Sequence, residues 1–234
     1  MTSPAHSHSR QARLFSGWQR PHPFLNRNSA LYSIANKIVL AITIGLCVVL
    51  LGACGEKKPS FVSIDITGAD YAKDFALPAP VKDHNGQGRS IKDFNGKVTV
   101  LFFGYTQCPD VCPTTMTEMA EVKKLLGQDG AKLQALFVTV DPARDTPEVL
   151  KAYMGNFDPG FLALIPDADK LPELTKNFKV YYKKVDGKTP TSYSMDHSAG
   201  SFVYDTSGRL RLYTRYGSGA KALASDIAQL LKSS

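Results

Sequence analysis

The feature that most constrains the fold is a pair of cysteines, Cys108 and Cys112, separated by three residues in a loop that also contains two prolines. The apolar run Val98–Phe103 precedes this loop and predicts a strand that is buried on both faces. The segment Thr114–Leu126 follows the loop and has the apolar spacing of an amphipathic helix. A buried strand that ends in a dithiol loop at the start of a helix is typical of a redox or metal site.

Strand and helix patterns alternate through the rest of the chain. Leu133–Val140 predicts a second buried strand, and Thr146 followed by Pro147 is typical of the N-cap and first residue of a helix. The turn residues Asp205–Gly208 separate two apolar runs and predict a hairpin. Weaker patterns predict further elements: a hairpin within Asp74–Lys97 whose turn holds Asn85-Gly86 beside a solvated His84, a strand at Phe161–Ile165, a helix at Asp169–Phe178, a strand at Val180–Val185 and an amphipathic helix over 218–232.

This order of elements predicts an α/β fold of the thioredoxin-like type. A central mixed sheet would be flanked by helices, with an N-terminal hairpin extension. Parallel strands need helical crossovers, and the terminal hairpin supplies an antiparallel edge. We expect this domain to span residues 73–234 and to follow a tether over residues 54–72.

The N-terminal segment has the pattern of a secretory leader. Residues 1–36 are polar, and residues 38–53 form an apolar run of 16 residues, shorter than the ~20 residues that span a bilayer. Such a run is typical of the hydrophobic region of a signal sequence. It ends in Leu51–Cys54, which resembles a bacterial lipobox, in which Cys54 becomes the lipidated first residue of the mature protein. We therefore predict a leader and lipoprotein signal sequence over residues 1–53, with an uncleaved signal anchor as the alternative.

The charge distribution argues against nucleic-acid binding. The chain has a formal net charge of +7, but residues 1–53 contain five basic residues and no acidic residue. Removing those five charges leaves about +2 on the remainder, without any block of like charge. Nucleic-acid-binding domains cluster lysine and arginine on one folded face, so we expect no nucleic-acid partner. Basic residues ahead of the apolar run instead favour an orientation with the domain outside the cytoplasm.

The spacing of the two cysteines indicates a shared chemical role. If the first helical turn begins within the loop, residues four apart share a face, so Cys108 and Cys112 can meet one ion or each other. A helix N-terminus stabilises anions and should lower the pKa of these thiols. Two thiolates suit Cu(I), and a third ligand would hold copper in either oxidation state.

His197 is the candidate for that third ligand. It is the only histidine in the second half of the chain. Two sulfurs and one imidazole favour copper, as Cu(I) or Cu(II), over harder ions, whereas a closed zinc site would need a fourth ligand. Asp196 and Asp110 are candidates for groups that orient these ligands. Met195 could ligate weakly, but core packing is the expectation for it.

Three segments together resemble one known family. Gly104–Pro113, Val140–Glu148 and Asp196–Ser198 are similar, in this order and spacing, to segments of the Sco/SenC family, and the resemblance extends over about residues 74–232. It implies a thioredoxin-like domain that binds copper through the two cysteines of the loop and His197. It also implies a role in assembling the binuclear copper site of cytochrome c oxidase.

The resemblance further implies partners and a location. The copper-site subunit of cytochrome c oxidase is the expected recipient, with other periplasmic copper chaperones as further partners. A lipid anchor would hold the protein on the periplasmic side of a bacterial membrane. The sequence departs from the family at Gln107, where a histidine or aromatic residue is frequent, and we expect little consequence for the ligands.

Two functional hypotheses remain open. The first, which we favour, is a non-enzymatic metallochaperone that binds and delivers copper. The second is an enzyme, a thiol-disulfide oxidoreductase that uses Cys108 and Cys112 to keep the cysteines of its target reduced and does not need His197. An inert structural disulfide is a third possibility. In the same way, Arg144 and Asp145 either form a turn and cap the next helix or shape the copper loop.

Overall fold

The computed structural model of the 234-residue chain describes residues 32–42, 60–75, 80–189 and 192–233. The chain divides into two compact units, Met1–Lys58 and Pro59–Ser234. Helix α1, over residues 32–42, is the described part of the first unit, and all of its residues are exposed. It begins within the polar leader, where the sequence pattern predicts neither helix nor strand.

No membrane-spanning element is found in the described part of the chain, where each helix is too short or too polar to cross a bilayer. Most of the predicted signal sequence, including Cys54, lies outside the described residues. The expected lipidation site therefore stays a prediction.

The second unit is built around an eight-stranded mixed sheet. The fourth, fifth and sixth strands across this sheet are parallel to one another, and every other neighbouring pair is antiparallel. The strands, in their spatial order across the sheet, are β1 (Ile64–Asp65), β10 (Leu210–Thr214), β9 (Ser201–Tyr204), β4 (Val98–Gly104), β5 (Leu133–Thr139), β6 (Leu162–Ile165), β2 (Val81–Asp83) and β3 (Gly88–Arg89). A separate antiparallel pair is formed by β7 (Tyr182–Asp186) and β8 (Tyr193–His197).

Helices flank this sheet. They are α2 (Val111–Leu125), α3 (Pro147–Gly155), α4 (Leu171–Asn177) and α5 (Ala220–Lys232), with short 3-10 helices at Ile91–Phe94 and Gly127–Lys132. Helix α2 packs against α5, and α3 packs against β6. The predicted mixed sheet flanked by helices is therefore confirmed, and β2 and β3 form the predicted N-terminal hairpin.

The two central strands, β4 and β5, lie in the middle of the hydrophobic core. All seven residues of β4 and all seven of β5 are buried, in register from Val98 opposite Leu133 to Gly104 opposite Thr139. Continuous apolar runs of this kind can be accommodated only where both faces of a sheet are covered. Because β4 ends at Gly104, the cysteine loop leaves the sheet at the carboxyl end of a buried, rigid strand.

Two local expectations, on the start of α2 and on His84, differ from the structure. Helix α2 begins at Val111, whereas the apolar spacing predicts a start at Thr114. The apolar spacing of α2 does not extend into its first turn, because the residues of that turn belong to the cysteine loop. His84 is buried rather than solvated, and its Nδ1 accepts the backbone N–H of Ala163 at 3.1 Å. The hairpin turn thus packs its histidine against β6.

Residues 60–66 lie within the stretch that the sequence pattern assigns to a tether, yet they pack against the domain. The backbone N–H groups of Val62 and Ser63 each donate at 2.8 Å to the carboxylate of Asp226 on α5. Asp226 is fully buried, and β1 pairs with β10, with Ile64 opposite Tyr213. Ile64 and Ile66 give a weak strand pattern in the sequence, and the strand at Ile64–Asp65 agrees with it.

Candidate metal centre

The cysteine loop turns directly from β4 into α2. Asp110 is the N-cap residue of α2, so Cys112 lies in the first helical turn. The backbone N–H of Cys112 points at the sulfur of Cys108, with 3.4 Å between nitrogen and Sγ. Cys112 is completely buried, whereas Cys108 is half-buried. The predicted i, i+4 pairing of the thiols is therefore present, with one sulfur reachable from solvent and the other beneath it.

Gly104 allows this loop to pack closely on the sheet. A Cβ atom at this position would lie 2.8 Å from the sulfur of Cys112, 2.8 Å from the ring of Phe137 and 2.9 Å from the ring of Phe102. Carbon atoms pack no closer than about 3.5 Å without repulsion. The buried sulfur therefore occupies space that any side chain at position 104 would take.

His197 is the last residue of β8 and reaches the dithiol from the separate hairpin. Its Nε2 lies 3.3 Å from the sulfur of Cys112, and its Nδ1 lies 2.9 Å from the carbonyl oxygen of Ser198. Because a carbonyl oxygen only accepts hydrogen bonds, Nδ1 carries the proton of the neutral ring and Nε2 keeps its lone pair. The rings of Phe102 and Tyr105 contact the imidazole edge-on, at centroid distances of 5.9 and 5.8 Å. The nitrogen that faces the sulfurs is thus the one able to bind a metal.

The three donor atoms form one compact triangle. The two sulfurs and the imidazole nitrogen all lie within 4.8 Å of one another, and no other such cluster of potential ligands occurs in the described part of the chain. An ion that bonds sulfur at about 2.3 Å holds two sulfurs no more than about 4.6 Å apart. The triangle therefore already has nearly the size needed to surround a single ion.

The two thiols differ strongly in acidity. Hydrogen bonds, chiefly the one from the thiol of Cys112, outweigh burial and lower the pKa of Cys108 to about 4. The same hydrogen bond to Cys108, together with burial, raises the pKa of Cys112. In the reduced, metal-free protein, Cys108 is therefore the thiolate and Cys112 its proton donor.

This difference predicts the pH dependence of alkylation. The fraction of an ordinary cysteine that is present as thiolate falls tenfold per pH unit below its pKa of about 8.5. Cys108, in contrast, stays ionised down to about pH 4. We expect iodoacetamide to modify Cys108 in the reduced protein at a rate that changes less than ~2-fold between pH 8 and pH 5.5. Peptide mass spectrometry measures this rate, with Cys54 in the unlipidated chain as the internal control. A tenfold loss of alkylation rate per pH unit at both Cys108 and Cys54 would contradict the assignment of Cys108 as the thiolate.

The two aspartates predicted to orient the ligands occupy different places. Asp110 is exposed, and its carboxylate accepts a hydrogen bond from the hydroxyl of Thr114 at 3.3 Å, while its backbone N–H reaches the sulfur of Cys108. Asp196 is exposed on β8 and, being adjacent to His197 in a strand, points to the opposite face. Asp110 thus acts on the dithiol through its main chain. Met195 is buried at the hydrophobic core, as expected.

Asp145 holds the cysteine loop in place through hydrogen bonds of its buried side chain. Its side chain is fully buried and accepts hydrogen bonds from the backbone N–H and hydroxyl of Thr106 and from the hydroxyl of Thr139. Burial raises the pKa of Asp145, and these hydrogen bonds only partly offset that effect. The neighbouring Thr146 caps α3, as predicted, by accepting the N–H of Val149. The segment therefore both caps a helix and supports the loop that carries Cys108.

Replacing Asp145 with alanine would leave the hydroxyls of Thr139 and Thr106 and the N–H of Thr106 without their acceptor. Unsatisfied buried polar groups cost about 1–3 kcal/mol each, and relaxation of the structure around the substitution recovers part of this cost. We therefore expect the free energy of unfolding to fall by about 2–4 kcal/mol. Urea denaturation measures this change. Asp169→Ala, which removes an exposed carboxylate paired only with Lys170, is the matched control. A difference between the two variants below about 0.5 kcal/mol would contradict the supporting role of Asp145.

Comparison with known proteins decides the family. The SCO1/SenC family model matches residues 66–232. The chain belongs to the SCO1/SenC family. An SCO2-like protein of Rickettsia prowazekii is 34% identical over 173 residues, which cover 73% of this chain and 82% of that protein.

Solved structures of the SCO1/SenC family have the same fold. ScoI of Bradyrhizobium japonicum, solved with copper bound, is 38% identical, covers 64% of this chain and 96% of its own, and has a TM-score of 0.59. Yeast Sco1 with copper bound is 30% identical, covers 66% and 87%, and has a TM-score of 0.60. Apo Sco1 of Thermus thermophilus is 34% identical, covers 74% and 99%, and has a TM-score of 0.61. The thioredoxin-like α/β fold of the SCO1/SenC family is therefore shared by this chain.

Proposed function

We propose that this protein is a membrane-anchored copper-binding assembly factor that delivers copper to the binuclear copper site of cytochrome c oxidase. The observation that carries the proposal is the convergence of Cys108, Cys112 and His197, whose donor atoms lie within 4.8 Å of one another. Thiolates and imidazole are soft or borderline donors that suit copper in both oxidation states. Relatives from Bradyrhizobium japonicum and yeast have been solved with copper bound, which supports the choice of metal.

The exposure of the site suits transfer of an ion rather than its permanent retention. Cys108 and His197 are each half-buried, while Cys112 is covered completely. A recipient can therefore approach two of the three donors and replace them one at a time. A closed structural site would instead complete its ligand shell from within the protein.

The proposed setting is the periplasmic side of a bacterial membrane. The apolar run that ends in Cys54 would target the chain for export, and lipidation of Cys54 would anchor it. Incorporation of labelled palmitate in growing cells tests the anchor, and Cys54→Ser should lose the label. The copper-site subunit of the oxidase is the proposed recipient, and other periplasmic copper chaperones are the proposed source of copper.

Direct transfer tests the delivery function. The copper-loaded protein is mixed with the reduced, metal-free copper domain of the oxidase subunit, in the presence of a chelator that removes free copper. We expect one copper to be lost per molecule of donor protein and to be recovered in the subunit domain, as metal analysis of the two separated proteins measures. The chelator with copper alone is the control. Transfer no faster than this control would overturn the delivery proposal while leaving copper binding intact.

A second candidate function is reduction of the target's cysteines, and the difference in acidity between the two thiols favours it. The Cys108 thiolate would attack one sulfur of the target disulfide, forming a mixed disulfide and releasing the first target thiolate. Cys112 would lose its proton and attack the Cys108 sulfur, releasing the second target thiolate. Two electrons pass to the target, and the Cys108–Cys112 disulfide remains.

The two functions differ in their need for His197. Reduction requires only the dithiol, so the metal-free His197→Ala variant should reduce a peptide disulfide that carries the target's two cysteines as fast as the wild type. Delivery of copper held by three ligands requires all of them. Loss of copper transfer with full reductase activity in this variant would assign delivery to the three-ligand site. A reductase rate that also falls would contradict this separation.

A further inference from the structure

The hairpin that carries His197 is attached to the rest of the domain by few elements. Among the strands that the structure describes, β7 and β8 pair only with each other and not with the eight-stranded sheet. The cysteine loop, in contrast, is continuous with β4 in the centre of that sheet. Three residues join His197 to β9, which pairs with β4. This connection fixes only the end of the hairpin, so side-chain contacts must hold the rest of β8 against the cysteine loop.

Arg144 contacts both segments at once. One guanidinium nitrogen, Nη1, donates to the side-chain carbonyl of Gln107 at 2.9 Å and to the backbone carbonyl of Tyr193 at 2.9 Å. Gln107 immediately precedes Cys108, and Tyr193 begins the strand that ends at His197. A single planar group thus joins the residue before the first candidate ligand to the strand that bears the third.

The position of Arg144 is itself fixed by its surroundings. Its Nε pairs with the carboxylate of Asp141, which is almost completely buried and also accepts the hydroxyl of Tyr193 at 2.9 Å. The guanidinium carbon lies 3.4 Å from the centroid of the Tyr193 ring and 5.8 Å from that of Tyr105, the ring that contacts the imidazole. Only 18% of the arginine side chain is exposed. The group is therefore held between a buried anion and an aromatic face, so it has little freedom to follow a displaced hairpin.

We propose that Arg144 is a positioning residue that holds the His197 hairpin against the cysteine loop and thereby favours the three-ligand, Cu(II) form of the site. This inference rests on the proposed copper-binding function. The two thiols are positioned by the loop and the first turn of α2 alone, so two-sulfur binding of Cu(I) does not need the bridge. Binding of Cu(II) through the imidazole does need the bridge. Gln107 supplies the loop end of the bridge.

The test compares copper affinities of the purified full-length protein in the two oxidation states. Arg144→Ala should weaken Cu(II) binding by about 10–100-fold, the cost typical of losing a residue that orients a metal ligand, and change Cu(I) binding by less than ~3-fold. Chelator competition measures both constants, and the sulfur-to-Cu(II) absorption should shift. Lys184→Ala is the matched control, because the Lys184 ammonium group also lies over the Tyr193 ring, with 4.2 Å from Nζ to the centroid. Among the described residues, its side chain forms no hydrogen bond to the cysteine loop. This variant should leave both affinities unchanged.

Gln107→Ala provides a variant that keeps the fold, because Gln107 is exposed and its removal leaves the ion pair of Arg144 with Asp141 intact. It should weaken Cu(II) binding in the same direction as Arg144→Ala. Equal weakening of both oxidation states in both variants, or no change in either, would overturn the positioning role.

Hydrogen exchange separates this inference from the proposed function, because it needs no metal. Amides of β7 and β8 should exchange at least tenfold faster in metal-free Arg144→Ala than in the wild type and Lys184→Ala. Amides of β4 should be unchanged. If the wild-type protein fails to bind copper, the proposed function fails, and the exchange of the hairpin still decides the role of Arg144. Unchanged exchange of the hairpin would overturn it.

Discussion

Replacing His197 with alanine should remove the Cu(II) form of the site and leave a Cu(I) site based on two thiolates. Structural metal sites with four ligands gain about 10–16 kcal/mol, which is about 3 kcal/mol per ligand, or roughly 100-fold in affinity. We therefore expect Cu(II) affinity to fall at least ~100-fold and the sulfur-to-Cu(II) absorption to disappear. Cu(I), which two sulfurs can bind linearly, should lose less than ~10-fold. Chelator competition and optical titration measure these changes.

The matched control for His197→Ala is His84→Gln, since His84 is the other histidine of the folded domain. His84 accepts a backbone N–H of β6 through Nδ1 and lies away from the cysteine loop. Its replacement should leave the copper spectrum unchanged. Wild-type Cu(II) affinity in His197→Ala would show that the imidazole does not bind the ion. An equal loss of affinity for Cu(I) and Cu(II) would contradict the separate roles of the sulfur and nitrogen ligands.

Replacing Cys108 and Cys112 together with serine should have the larger effect, because it removes both sulfur donors. At roughly 100-fold per ligand, the affinity for copper in either oxidation state should fall by about 10⁴-fold. Such a protein would retain only weak background binding, which includes the histidines of the leader. The variant should also be unable to form a disulfide or reduce one. Copper content after gel filtration and thiol titration measure the two effects.

Cys47→Ser/Cys54→Ser is the matched control for the double substitution. It removes the same number of sulfurs from the chain but leaves the cysteine loop untouched. Copper stoichiometry of one per molecule should survive in this control and vanish in Cys108→Ser/Cys112→Ser. The opposite pattern would place the copper in the N-terminal segment instead of the folded domain.

Local sequence patterns predict the elements whose residues carry strong periodicity or a distinctive turn. The buried run over β4, the N-cap Thr146 and the hairpin between β9 and β10 are examples, because their signals arise from neighbouring residues. The thioredoxin-like order of these elements brings the loop before β9 towards the end of β4. His197 was therefore predictable as a partner of the dithiol from the order of elements and from its being the only histidine in that half of the chain.

Features that depend on distant contacts could not be predicted in this way. The burial of Asp145 requires Thr106 and Thr139 to meet it from two different strand ends. The tautomer of His197 depends on how the chain turns after β8 and places the carbonyl of Ser198. Gln107 has no local signal at all, since its contact with Arg144 joins residues 37 positions apart. These contacts surround the candidate ligands and set their geometry, while the ligands themselves are visible in the sequence.

The most direct test of the three-ligand site is X-ray absorption spectroscopy of the protein loaded with one Cu(II) ion. The convergence of two sulfurs and one imidazole predicts sulfur scatterers at about 2.3 Å and at least one nitrogen at about 2.0 Å. In His197→Ala, the imidazole signal should disappear while the sulfur shell of the Cu(I) form persists. A wild-type spectrum that contains only nitrogen and oxygen neighbours would contradict the copper site proposed at Cys108, Cys112 and His197.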